Sequence, residues 1–249
     1  MKFRFVIIAV CCFFTLAVRA DEGMWMLGNL DKQTRRTMKE LGLQMPADKL
    51  YSSRRPSLKD AVVSFGGFCS GVVVSEDGFV FTNHHCGFSS IQQHSSVEHD
   101  YLKDGFVARS LEEELPNPEL YVRFLLRTEN VTKRVLSAAK HAKTESERRV
   151  AVDSVMNVIG MEVSEKDSTL TGIVDAYYAG NEFWLSVYRD YNDVRLVFAP
   201  PSSVGKFGWD TDNWMWPRHT GDFSVFRIYA NTKNGPADYS PENVPYHPE

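Results

Sequence analysis

Beyond its first twenty residues the chain has only two cysteines, no apolar run long enough to cross a bilayer, and no surplus of positive charge. Each shortage excludes something. After Ala20 there are 25 basic against 32 acidic side chains, so the surface lacks the basic stripe that a nucleic-acid partner requires. A spanning helix needs roughly 20 apolar residues, and none is expected in that part. The two cysteines are Cys69 and Cys86, and in an exported chain such a pair most simply forms one disulfide. Two free buried thiols are the alternative.

Export is itself a reading of the first segment. Lys2 and Arg4 precede an apolar stretch of 14 residues from Phe5 to Val18, and Val18-Arg19-Ala20 places small residues where a signal peptidase reads. Residues 1–20 are therefore expected to be a signal peptide cleaved after Ala20, rather than a membrane anchor. The mature chain would start at Asp21 and hold 229 residues, enough for one large domain or two small ones.

Hydrophobic periodicity predicts a mainly β protein with α insertions. Asp31–Leu43 has helical spacing and a Gly42 stop, and Pro46–Pro56 reads as loop. Ala61–Val63, Ser70–Val74 and Phe79–Thr82 read as strands, the last two joined at Asp77-Gly78 as a hairpin. Tyr121–Arg127, Leu196–Phe198 and Phe223–Tyr229 are further strands. Thr132–Glu165 reads as a helical insertion, at about residues 132–166. Asn181–Asp193 is aromatic-rich and ambiguous between states.

The densest motif runs from Cys69-Ser70-Gly71 through that hairpin to Thr82-Asn83-His84-His85-Cys86. A bridge between Cys69 and Cys86 would staple the start of one strand to the residue just past the other, holding a histidine at the strand exit. A general base needs such anchoring, and an imidazole pKa near neutrality suits proton transfer. A structural histidine is the bland alternative. A metal site from His84, His85, His94 and His99 is a third, weakened because neighbours on a strand point to opposite faces.

A second patch, Phe207 to Phe223, holds three tryptophans in eight residues. A buried aromatic knot would account for it. Asp222, however, directly precedes an apolar strand, where a carboxylate could accept from a histidine Nδ1–H and fix its tautomer. Histidine before aspartate is also the order found in chymotrypsin-like peptidases.

Taken together, Asp21-Glu22-Gly23-Met24-Trp25, Asn83-His84-His85-Cys86, Asp104-Gly105-Phe106, Glu112 to Pro116 and Asn213 to Phe223 resemble the bacterial dipeptidyl-peptidase 7 and 11 type of serine exopeptidases. The resemblance implies a chymotrypsin-like double β-barrel peptidase domain, incomplete here, with an added helical segment. It implies release of dipeptides from oligopeptides with a free N-terminus. It further implies the periplasm or surface of a Gram-negative bacterium, a homodimer at full length, and no cofactor. On matching positions, His85 rather than His84 is the general base and Asp222 its partner. Asn213 and Trp214 fall where the family holds the substrate ammonium, a role suited to an amide carbonyl and an indole face.

One part is missing from the pattern. No Gly-x-Ser-x-Gly or Gly-Asn-Ser-Gly type motif occurs, and Ser70 is only a superficial substitute for the nucleophile. The expectation is an N-terminal part, inactive alone, of a longer peptidase. A non-catalytic exported peptide-binding protein is the second reading, and a metal-binding domain the third.

Overall fold

The computed structural model describes residues 26–209, 211 and 215–248. The chain divides into two units, residues 1–47 and 48–249. In the first, helix α1 spans Lys32–Glu40. Asp31 caps it, its side chain accepting from the Thr34 N–H at 2.6 Å, which satisfies one orphan donor of the first turn. The expected stop at Gly42 has a left-handed φ of +106°. A single helical turn, Ala47–Leu50, interrupts the stretch expected as loop.

The second unit is built on one network of eleven antiparallel strands with helices around it. The strands are β1 (Val62–Phe65), β2 (Cys69–Val73), β3 (Phe79–Thr82), β4 (Phe106–Val107), β5 (Leu115–Pro116), β6 (Val122–Asn130), β7 (Leu170–Tyr177), β8 (Glu182–Tyr191), β9 (Asp193–Ala199), β10 (Ser224–Ala230) and β11 (Val244–Pro245). Their order is β4-β9-β10-β3-β2-β1-β6-β8-β7, with β5 on β9 and β11 on β10. The β2–β3 hairpin turns at Asp77-Gly78 as expected. Gly78 has φ +70°, and a Cβ there would meet the Ile228 and Tyr246 carbonyls at 2.9 Å, so only glycine fits.

The path from β9 to β8 crosses six strand-to-strand steps, about 29 Å if the sheet were flat. Yet β8 ends at Tyr191 and β9 begins at Asp193, leaving only Asn192 between them. Two Cα steps reach at most about 7.6 Å, so the sheet must curl round on itself. What it curls round is one buried cluster including Phe65, Val80, Val122, Leu196, Phe226 and Ile228.

Beyond this core, β6, β8 and β7 extend as a long arm under helices α3 (Thr132–Ala138) and α4 (Glu145–Lys166). The expected helical insertion is thus two helices rather than one, broken at 139–144, and Leu170–Tyr177 and the ambiguous Asn181–Asp193 region supply strands for it to lie on. A separate apolar cluster of Val135, Ile159, Val163, Val174, Leu185 and Val187 seals it. The helix approaches the strand closely at Gly160 and Gly172: a Cβ on either would sit 2.6–2.7 Å from the other's carbonyl oxygen.

Candidate active site

The hairpin does not hand His85 to a strand exit. Helix α2, His84–His94, begins there, a feature the sequence reading did not anticipate. Its N-cap is Asn83, with β-region backbone angles. The adjacent histidines therefore lie in the first turn of a helix and diverge by about 100°, not by the 180° of a strand.

His84 turns inward and is fully buried. Its ring lies against the backbone of Gly205, where an added Cβ would come within 2.4 Å, and edge-on to Phe88. Neither ring nitrogen makes a hydrogen bond of normal geometry. Burial holds its pKa below the ordinary imidazole value, opposed by the Asp222 carboxylate and reinforced by Lys206. His84 is a packing residue in neutral form.

His85 turns outward, and its side chain is 50% exposed against 9% for Asp222. The two side chains meet: His85 Nδ1 lies 2.8 Å from Asp222 Oδ2. An ionised carboxylate only accepts, so Nδ1 is the donor of this pair, and Nε2 is the ring nitrogen not engaged by Asp222. The other carboxylate oxygen, Oδ1, accepts the backbone N–H of His85 at 3.1 Å. Asp222 therefore satisfies an orphan donor in the first turn of α2 from outside the helix, where an anion is also favoured by the helix dipole.

Two further groups hold the aspartate and the turn. The Asn83 amide donates to Asp222 Oδ2 at 3.1 Å and to its carbonyl at 3.2 Å. Ser224, fully buried at the start of β10, donates its hydroxyl to the Asn83 carbonyl at 3.0 Å. Because β10 pairs with β3 in register, Ser224 opposite Thr82, the sheet itself brings residues 139 apart into contact.

Cys69 and Cys86 are joined as a disulfide, with Cα atoms 6.1 Å apart and a sequence separation of 17. The staple links the first residue of β2 to the first turn of α2. A closed loop of that length contributes about 3 kcal/mol by the chain-entropy account. Replacing both cysteines with serine is expected to lower the unfolding free energy by about that amount, measured by denaturant titration. An unchanged midpoint would show that the hairpin and helix need no staple.

Ser70 lies within β2, opposite Ser64, and its carbonyl accepts from Thr82 Oγ1. Among the described residues no serine hydroxyl bonds His85. The histidines of a metal reading are not drawn together either. His94 Nε2 meets the Pro116 carbonyl at 3.1 Å, and His99 stacks on Tyr101. The group of possible ligand atoms that does form, Cys69, His85 and Cys86, has both sulfurs in the disulfide.

Asn213 and Trp214 lie outside the described residues. Around them Trp209 and Trp216 are 79% and 89% exposed, which departs from a buried aromatic knot.

The chain is similar in fold to solved structures. A dipeptide Arg-Glu complex of DPP11 from Porphyromonas endodontalis superposes with a TM-score of 0.82 at 46% identity, over 92% of this chain and 33% of that one. Among relatives, "Dipeptidyl-peptidase 7" of Porphyromonas endodontalis is 51% identical over 250 residues, all of this chain and 30% of the relative. An "Asp/Glu-specific dipeptidyl-peptidase" of Capnocytophaga gingivalis is 48% identical over 228 residues, 91% of this chain and 32% of the relative. The chain spans about a third of the length of the relatives it matches. The model of the family Peptidase S46 matches residues 20–249, and the chain belongs to that family.

Proposed function

We propose that this chain is the histidine- and aspartate-bearing part of a serine-type dipeptidyl peptidase that releases dipeptides from the free N-terminus of oligopeptides. The contact that carries the reading is the 2.8 Å approach of His85 Nδ1 to Asp222, on a His85 side chain that is half exposed. In this role His85 Nε2 takes the proton of a nucleophilic serine and returns it to the leaving amine. Asp222 keeps the proton on Nδ1 and stabilises the imidazolium that forms. The serine and its oxyanion donors belong to sequence outside these 249 residues, so the chain alone is expected to be inactive.

The double-barrel architecture is part of the same proposal. The curl of the sheet round its core fits one barrel. A row of cross-strand partners, Val62, Val72, Phe81, Val225, Phe198 and Val107, runs across six strands on the other face. Val62, Val72, Phe81 and Val107 are exposed in that row, and Phe223, next to Asp222, stacks on Phe81 and Phe198. An apolar band of this extent fits cover by a second barrel. We further propose export by a signal peptide at residues 1–20 to the periplasm or cell surface, a homodimer at full length, and ammonium recognition by Asn213 and Trp214.

The free amine gives the test. The full-length protein is expected to release dipeptides from an oligopeptide and to leave its N-acetylated form intact, read by mass spectrometry of the products. Equal cleavage of both would reject the exopeptidase reading.

A further inference from the structure

We infer that Asn83 is a positioning residue of this site: its side-chain amide clamps the Asp222 carboxylate so that one oxygen stays aligned with His85 Nδ1. The inference rests on the proposed roles of His85 and Asp222, but its geometry stands apart from any turnover.

Asparagine at an N-cap ordinarily turns its side-chain oxygen onto the N–H groups of the first helical turn. Asn83 occupies the N-cap of α2 and makes no such bond. Its amide nitrogen instead faces two acceptors of one residue, the Asp222 carbonyl at 3.2 Å and Oδ2 at 3.1 Å. Both partners are acceptors, so the NH2 group is what points at them, and the amide orientation is fixed by chemistry. The work of the cap has passed to Asp222, whose Oδ1 takes the His85 N–H at 3.1 Å. Asp222 has thus exchanged places with Asn83 as the acceptor of the cap, and Asn83 holds Asp222 in turn.

The exchange restrains the carboxylate. Held only by the two His85 donors, the carboxylate could rotate about its Cβ–Cγ bond and keep either contact at the expense of the other. The third donor, from Asn83, reaches Oδ2 together with the backbone carbonyl of the same residue. It ties the carboxylate plane to the Asp222 main chain. Asn83 is itself seated: Ser224 Oγ and the N–H groups of Cys86 and Gly87 all donate to its carbonyl. Its backbone is fixed from the sheet and from the helix, and the amide is aimed by that frame.

Nitrogen-15 spectra of the histidine rings in the full-length protein test the idea without any activity. In the wild type, His85 is expected as the Nδ1–H tautomer. Asn83→Ala should leave a mixture of tautomers, and Asn83→Asp, isosteric but lacking the amide donor, should do the same. In the full-length peptidase Asn83→Ala should lower kcat about tenfold with KM unchanged, the scale of one lost hydrogen bond. A tautomer unmoved by both variants would overturn the inference even if the protein proves to be a dipeptidyl peptidase. Should Asn83→Ala not fold, the isosteric Asn83→Asp carries the test. Shifted ring spectra without any peptidase activity would uphold the positioning and reject the function.

Discussion

Asp222→Asn, in the peptidase that carries this chain, is expected to lower kcat by about four orders of magnitude while KM changes little. The side chain keeps its volume, so packing beside Asn83 and His85 is preserved. What changes is the sign of the partner. An amide can present its NH2 to His85 Nδ1, favouring the tautomer whose Nε2 carries the proton and cannot accept one. The imidazolium formed during proton transfer also loses the carboxylate 2.8 Å away. His85→Ala removes the base itself and should cost a similar factor. The double variant should be little worse than either alone, because the two residues act as one device. Dipeptide release at saturating peptide, alongside circular dichroism of each variant, measures this. A folded Asp222→Asn protein within tenfold of wild type would reject the assignment of the base and its partner.

The site was partly legible because its chemistry is written in adjacent residues. Asn83-His84-His85-Cys86 points to the proposed base, and Gly221-Asp222-Phe223 to a carboxylate at the mouth of a strand. Choosing His85 over His84 rests on the family pattern, and the structure turns the two rings about 100° apart on the helix, one buried and one exposed. Helix α2 was not legible. Its sequence, His84 to His94, is dominated by polar and small residues with no apolar stripe of helical period, and it is held by Asp222 from outside and by the disulfide rather than by propensity. Strand β8 was hidden for the opposite reason. Phe183 to Val187 is buried on both faces, between the core cluster of the arm and its neighbours, so the alternation that marks a half-exposed strand is absent. The partner exchange of Asn83 had a sequence signal, an asparagine just before a helix, but that signal predicts the bond the residue does not make.

Glu114→Ala is the substitution expected to do most harm to the fold, about 3–5 kcal/mol, because it leaves a buried cation without its partner. Glu114 accepts from Arg227 Nε at 2.9 and 3.1 Å and from the Tyr229 hydroxyl at 2.8 Å, and all three side chains are buried. Arg227 also donates to the Asp77 carbonyl at 2.9 Å, in the turn of the β2–β3 hairpin. The network therefore ties β10, which begins beside Asp222, to the hairpin that leads into His85. Denaturant unfolding measures the loss, and a change under about 1 kcal/mol would show the buried pair to be dispensable. The same carboxyl gives a pH signature. Burial holds its pKa above the ordinary value, despite the opposing Tyr229 and Arg227 donors. The folded chain then binds this proton more tightly than the unfolded one. Its contribution is full below the unfolded carboxylate value of 4.5 and declines as pH rises through the folded value. Glu114→Gln removes the titration, so the wild-type stability curve should carry a downward step with rising pH that this variant lacks. Parallel curves for the two proteins would place the proton elsewhere.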